Sequence, residues 1–251
     1  MTLRFLALVM AMALSTACTG SEAASKARTV KVSAAASLTE AFTELAEEYQ
    51  AAHPGLRIET SFGASSALAQ QVNVGAPVDV LATADEVSMK RVTDAGSASA
   101  PEIFARNRLA LLVGRGNPKA ITGLADLARP GVVFLACAPE VPCGRLAAAA
   151  LEKAGVKARP ASLEENVKGV VSKVTVGEAD AGIVYATDVK AAGDRALGME
   201  IDFAGDPALA AVYQIAVTSQ AGNVEAARDW VDFVLSERGR QALTRFGFLP
   251  S

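Results

Sequence analysis

The sequence predicts an α/β fold built on largely parallel sheets. From residue 29 onward, short β-branched runs alternate with amphipathic helical stretches. Of the 251 residues, 51% are apolar, enough to bury one large core or two modest lobes. Several strand ends also run directly into small residues and a helix start, the edge at which open α/β sheets bind ligands.

The first strand is expected at 29–34, after which Leu38, Phe42, Leu45 and Tyr49 recur at helical spacing until "HPG" at 53–55 stops the helix. Further strands are expected at 56–62, 78–82, 109–114, 131–136, 181–185 and 211–218. Helices are expected near 66–73, 85–95, 145–154, 166–176, 223–235 and 237–245. Residues 97–107 read as loop before "RNRLALLVGRGNPKAI" begins a fresh strand, and the last two helices have no strand set of their own. Two lobes, with the tail returning to the first, fit this pattern; one domain remains open.

At the N-terminus Arg4 precedes an apolar run from Phe5 to Leu14, too short to span a bilayer but matched to a signal-peptide core. The chain is therefore expected to be exported. Ser15-Thr16-Ala17-Cys18 resembles a lipobox, with Ser15 where an apolar residue usually stands. On that reading 1–17 is a signal peptide, Cys18 carries the lipid, and 18–28 is anchor and tether; cleavage nearby without lipid is the alternative. Outside the cytoplasm Cys137 and Cys143 form a disulfide candidate across "CAPEVPC", against two free thiols.

A formal charge of -3 gives no basic excess, so neither nucleic acid nor a polybasic membrane contact is expected. The single histidine, His53, excludes a zinc ligand set and leaves Cys143 without a base, so nucleophilic catalysis is not expected. No glycine-rich phosphate loop of the Walker or dinucleotide type is present.

Four stretches carry candidate chemistry. Ser37-Leu38-Thr39-Glu40 matches a capping box, with Ser37 as N-cap; a hydroxyl that accepts from the helix still has a proton to donate to an anion. Ala34, Ala35 and Ala36 leave the backbone open to a small solute. "IETSFGASSALAQQV" repeats the design, with Ser65 and Ser66 at a second helix start where a capping role is the simpler reading. Two such N-termini converging would form an anion site without Lys or Arg. Cys143-Gly144 opens an alanine-rich helix after a Pro-containing turn. Val167 opens another, and Tyr185 ends a strand whose register could aim its phenol at a cleft. Lys168 reads as a counter-charge or a solvated helix face, and Glu164 with Glu165 as first-turn complements to the helix dipole.

"AAASLTEAF", "SFGASSALAQQ", "GAPVDVLATAD", "PEVPCG", "GIVYATD" and "RFGF", in this order, resemble the periplasmic molybdate-binding proteins of bacterial ABC uptake systems from about residue 29 to the C-terminus. The resemblance implies a two-lobe periplasmic-binding-protein fold with a cleft between lobes joined by two hinge segments. It divides the chain into 29–106 plus 218–251 as lobe 1 and 107–217 as lobe 2. It implies hydroxyl ligands Ser37 and Ser65, amide donors that include these two with Cys143 and Val167, and a phenol donor Tyr185. Alanine is the more familiar residue at position 143, and the loop before it is one residue shorter than the family pattern. The implied function is capture of molybdate, and of tungstate, by a monomer that delivers it to an ABC permease with a cytoplasmic ATPase. No cofactor or enzymatic activity is implied, and no metal bound directly by side chains. A binding protein for another oxyanion such as sulfate is the alternative, ahead of a ligand-sensing domain or a Ser/Cys hydrolase.

Overall fold

The computed structural model describes residues 28–201 and 206–251; the expected signal peptide, the Cys18 anchor and nearly all of the tether lie outside them. Three parallel strands form the first lobe's sheet: β1 (Arg28–Ala35), β2 (Leu56–Gly63) and β3 (Val80–Thr83). Val30, Val32 and Ala34 of β1 are buried, as a central parallel strand covered on both faces requires. The covering helices are α1 (Thr39–Ala52), α2 (Ser65–Asn73) and α3 (Glu86–Asp94), each following its strand.

The two lobes meet along one long strand, β4 (Glu102–Gly114). Second-lobe elements follow in the order β5 (Phe134–Cys137), α4 (Pro142–Lys153), β6 (Ser162–Glu164), α5 (Val167–Thr175), β7 (Ala181–Tyr185), α6 (Ala186–Ala192) and β8 (Ala196–Glu200). The chain then returns through β9 (Ala210–Val217) to α7 (Val224–Leu235) and α8 (Glu237–Arg245). Strand order is β2-β1-β3-β9-β4-β7-β5-β6, with β8 also paired to β4. Up to Arg108, β4 pairs antiparallel with β9; from Leu109 onward it pairs antiparallel with β7 and β8. The change of partner inside β4 is thus one crossing between lobes. The expected division puts β9 with the second lobe; in the structure β9 is hydrogen-bonded to β3 and to the first part of β4.

Pairing of β4 begins within the stretch read as loop. Arg106, Asn107 and Arg108 break the apolar alternation there, but Phe104 and Ala105 are buried and Asn107 is buried with its amide satisfied. The short elements β6, α6 and β8 were also not anticipated. The final helices return to the first lobe as expected: Trp230 of α7 is fully buried, edge-on to Phe42 (6.0 Å) and Tyr49 (5.5 Å) of α1. No described helix is long and apolar enough to cross a membrane.

Candidate ligand-binding site

Where the two lobes face each other a small cavity lies between the ends of their strands. The first lobe contributes Ser37, Ser65 and Ala84, and the second contributes Cys143, Val167 and Tyr185. The space open to the centre of a water-sized sphere is about 20 Å³. A sphere of that volume has a radius of about 1.7 Å, which clears the space one water needs and is on the scale of one small polyatomic ion.

Ser37 is not a helix cap. It sits in a single 3-10 turn, Ala36–Leu38, and α1 starts two residues later with Leu38 at its N-cap and no side-chain cap. The capping box fails because Glu40 turns outward to Lys168, with both carboxylate oxygens 2.8 Å from its ammonium. The Ser37 hydroxyl instead meets the Tyr213 hydroxyl of β9 at 2.7 Å. Asn107 Nδ2, which can only donate, is 3.4 Å from the same phenol oxygen and 2.8 Å from Thr187 Oγ1. The arrangement that uses every proton runs Asn107 to Tyr213 to Ser37, leaving the Ser37 proton for the cavity.

Ser65 is not a cap either, since Ala64 holds that position in α2. Its buried hydroxyl accepts from the Ala84 amide at 2.9 Å, which orients the oxygen and leaves its proton to donate.

Two second-lobe helices begin at the same place. In α5 the N-cap Asn166 accepts from the amides of Lys168 (3.0 Å) and Gly169 (3.3 Å). The side chain thus satisfies the second and third helical amides, leaving the first, Val167, for the cavity. In α4, Pro142 occupies the first turn where its missing N–H costs nothing, and Cys143 follows at the cavity wall. Cys143 is disulfide-bonded to Cys137 at the end of β5, six residues earlier, which pins this loop to its strand. Gly144 admits no side chain: a Cβ there would stand 1.9 Å from the Ala138 carbonyl oxygen.

Tyr185, at the end of β7, is 1% exposed, and its hydroxyl has no hydrogen-bond partner. Burial, then the nearby Tyr213, Asp85 and Asp188, push its phenol well above the ordinary tyrosine value, with Arg145 opposing. Burial likewise raises Tyr213, against the hydrogen bonds of Ser37 and Asn107. Both phenols therefore keep their protons.

No lysine or arginine lines the cavity. Nearby cations are engaged with carboxylates: Arg145 with Asp85, and Lys168 with Glu40 and the fully buried Asp188. Lys168 is thus no solvated helix face. Burial pulls its ammonium down, but Asp188 and Glu40 outweigh this and hold it above the ordinary lysine value. Glu164 and Glu165 precede α5 rather than occupying its first turn; Glu164 lies in β6, bonded to Ser162 (2.8 Å) and Lys173 (2.7 Å). Among the described residues no cluster of His, Cys, Asp and Glu could hold a metal ion.

The structure brings all five residues expected at the site, Ser37, Ser65, Cys143, Val167 and Tyr185, to the wall of one cavity. Reasoning from sequence missed Tyr213 and Asn107, which orient Ser37 from β9 and β4. No local pattern in "AVYQIAV" or "RNRL" links them to a serine far along the chain.

A family model for bacterial extracellular solute-binding proteins matches residues 30–249. The chain belongs to this family. The chain is 38% identical over 223 residues to the molybdate-binding protein ModA of Mycobacterium tuberculosis H37Rv, covering 88% of this chain and 85% of the relative. Among solved structures it resembles the substrate-binding domain of a molybdenum ABC transporter from Clostridium difficile, described there as putative (TM-score 0.65, 28% identity, 89% of this chain and 99% of that one). The sulfate-binding protein SubI of M. tuberculosis H37Rv superposes with a TM-score of 0.78 at 19% identity, covering 89% and 87%, and shares the fold. The two-lobe architecture of periplasmic solute-binding proteins is thus this chain's own, and the family is one of exported binding proteins.

Proposed function

We propose that this chain captures molybdate, and tungstate in the same way, outside the cytoplasm and presents it to an ABC permease driven by a cytoplasmic ATPase. The observation that carries the reading is the Tyr185 hydroxyl, buried without a partner at the cavity wall, where a ligand oxygen would satisfy it. In this reading Ser37, Ser65 and Tyr185 donate through hydroxyls, and Cys143 and Val167 through amides, to a tetrahedral dianion.

A site made only of donors suits a fully deprotonated oxyanion; a protonated ligand would set its own O–H against another donor. Phosphate is disfavoured on this ground. Sulfate shares the charge and shape, and the SubI likeness keeps it as the second reading; it differs in size, the longer metal–oxygen bonds of molybdate filling more of the cavity. Capture without chemistry is part of this reading, in keeping with a family of solute-binding proteins.

Closure follows because donors from both lobes reach the ion together and neither lobe completes its shell alone. The lobes in this reading are 29 to about 108 with 210–251, and about 109 to 200 between. Export with Cys18 as lipid anchor, and action as a monomer, complete the proposal. Thermal shift of the mature chain with molybdate, tungstate, sulfate and phosphate tests it. Molybdate and tungstate are expected to raise the melting temperature at concentrations where sulfate and phosphate do not. A shift with sulfate alone favours the second reading; none with any of the four removes both.

A further inference from the structure

Two ion pairs join the lobes close to the cavity. Asp85, next to the cavity residue Ala84 in the first lobe, pairs with Arg145, two residues after Cys143 in the second. Glu40, three residues after Ser37, pairs with Lys168, the residue after Val167. Each charged residue thus lies within three positions of a cavity-lining one. The Asp85–Arg145 pair is mostly shielded, with side chains 15% and 27% exposed; in the second pair Lys168 is 26% and Glu40 40% exposed. Arg145 also donates to the Glu140 carbonyl inside the disulfide loop, and Lys168 is held from below by Asp188 at 3.1 Å. Each cation is anchored in its own lobe before it reaches across.

We propose that Asp85–Arg145 and Glu40–Lys168 act as an electrostatic latch that sets how long the lobes stay closed on a bound ion. The proposal rests on the binding reading above and assigns these four residues to positioning, since none lines the cavity. Opening the cleft separates both pairs at once, whereas an open protein meeting its ligand has yet to form them. The latch therefore acts on dissociation more than on association. It also explains how cations stand near an anion site without forming salt bridges to the ligand: their charge is spent on carboxylates of the opposite lobe.

The decisive variant is the double substitution Arg145→Gln with Asp85→Asn. It removes one positive and one negative charge, and asparagine keeps the cap that Asp85 provides to the Ser88 amide (3.0 Å). Stopped-flow exchange is expected to show molybdate leaving about five- to tenfold faster, with association within about twofold of wild type. Glu40→Gln, which leaves Lys168 paired with Asp188, is expected to act in the same direction. Raising salt from about 0.02 to 0.5 M should speed release from the wild type and much less from a variant lacking both pairs. If the charges act only through their field on the anion, Asp85→Asn alone tightens binding, Arg145→Gln alone weakens it, and the double variant matches wild type; that result overturns the latch. Should the wild type bind no oxyanion, the functional reading fails by itself, and small-angle scattering of ligand-free protein judges the latch. Low salt is expected to compact the wild type but not a variant lacking both pairs, and identical profiles would refute the proposal.

Discussion

A buried hydroxyl without a partner is costly, and Tyr185 carries one at the cavity wall. Replacing it with phenylalanine removes that cost along with one charge-assisted hydrogen bond to the ligand. Tyr185→Phe is therefore expected to weaken molybdate binding by roughly ten- to a hundredfold while leaving the melting temperature of the ligand-free protein unchanged or higher. Calorimetric titration and ligand-free melting, taken together, check both halves. Ser65→Ala should weaken binding by a similar factor but also destabilise the ligand-free chain, because the Ala84 amide loses its acceptor. Since Tyr185 is held above its ordinary pKa and no histidine lines the cavity, affinity should stay flat from about pH 6 to 9. A titration of affinity centred near neutrality would place an unrecognised ionisable group at the ion.

The elements that carry the donors are held by devices of differing strength. The Cys137–Cys143 bridge closes a short loop, with a sequence separation of 6. In the chain-entropy model a loop of this size is worth about 2 kcal/mol. Replacing both cysteines by serine is expected to cost about that in denaturant unfolding and to weaken binding, as the Cys143 amide is then placed only by the helix. Gly144→Ala drives a Cβ into the Ala138 carbonyl, so the loop or the start of α4 must move; loss of binding with a melting temperature lower by several degrees is expected. In β6, burial pushes the Glu164 carboxyl up, but Lys173 and Ser162 outweigh it and hold it below its ordinary 4.5. Its contribution is therefore present above pH 4.5 and lost as pH falls through the lower folded value. The stability gap between wild type and Glu164→Gln should accordingly shrink between neutral and acidic urea titrations.

At the scale of the molecule, how well each part could be read from sequence depended on the range of the forces involved. Strand and helix periods are local, so β1, α1, β2, α2 and the two closing helices stand out in the pattern. β4 hid behind Arg106-Asn107-Arg108, where a strand changes partners between lobes, and β9 could be placed beside β3 only by pairing across most of the chain. The same holds in the cavity. Small residues at helix starts marked Ser37 and Ser65, and the family resemblance added Cys143 and Val167, yet neither serine caps its helix. Their hydroxyls are turned by Tyr213 and by the Ala84 amide, partners that sequence proximity does not supply.

Alone, the amino-acid order determined the alternation of strands and helices, the lack of a basic surface excess or histidine chemistry, and which strand ends are small enough to admit a solute, because these depend on composition and short-range periodicity. Only the tertiary structure decided that Ser37, Ser65, Cys143, Val167 and Tyr185 line one cavity, that the Tyr185 hydroxyl is left without a partner, and that Arg145 and Lys168 pair with Asp85 and Glu40. Those outcomes depend on distances between residues far apart along the chain, which are set when β4 and β9 join the two halves.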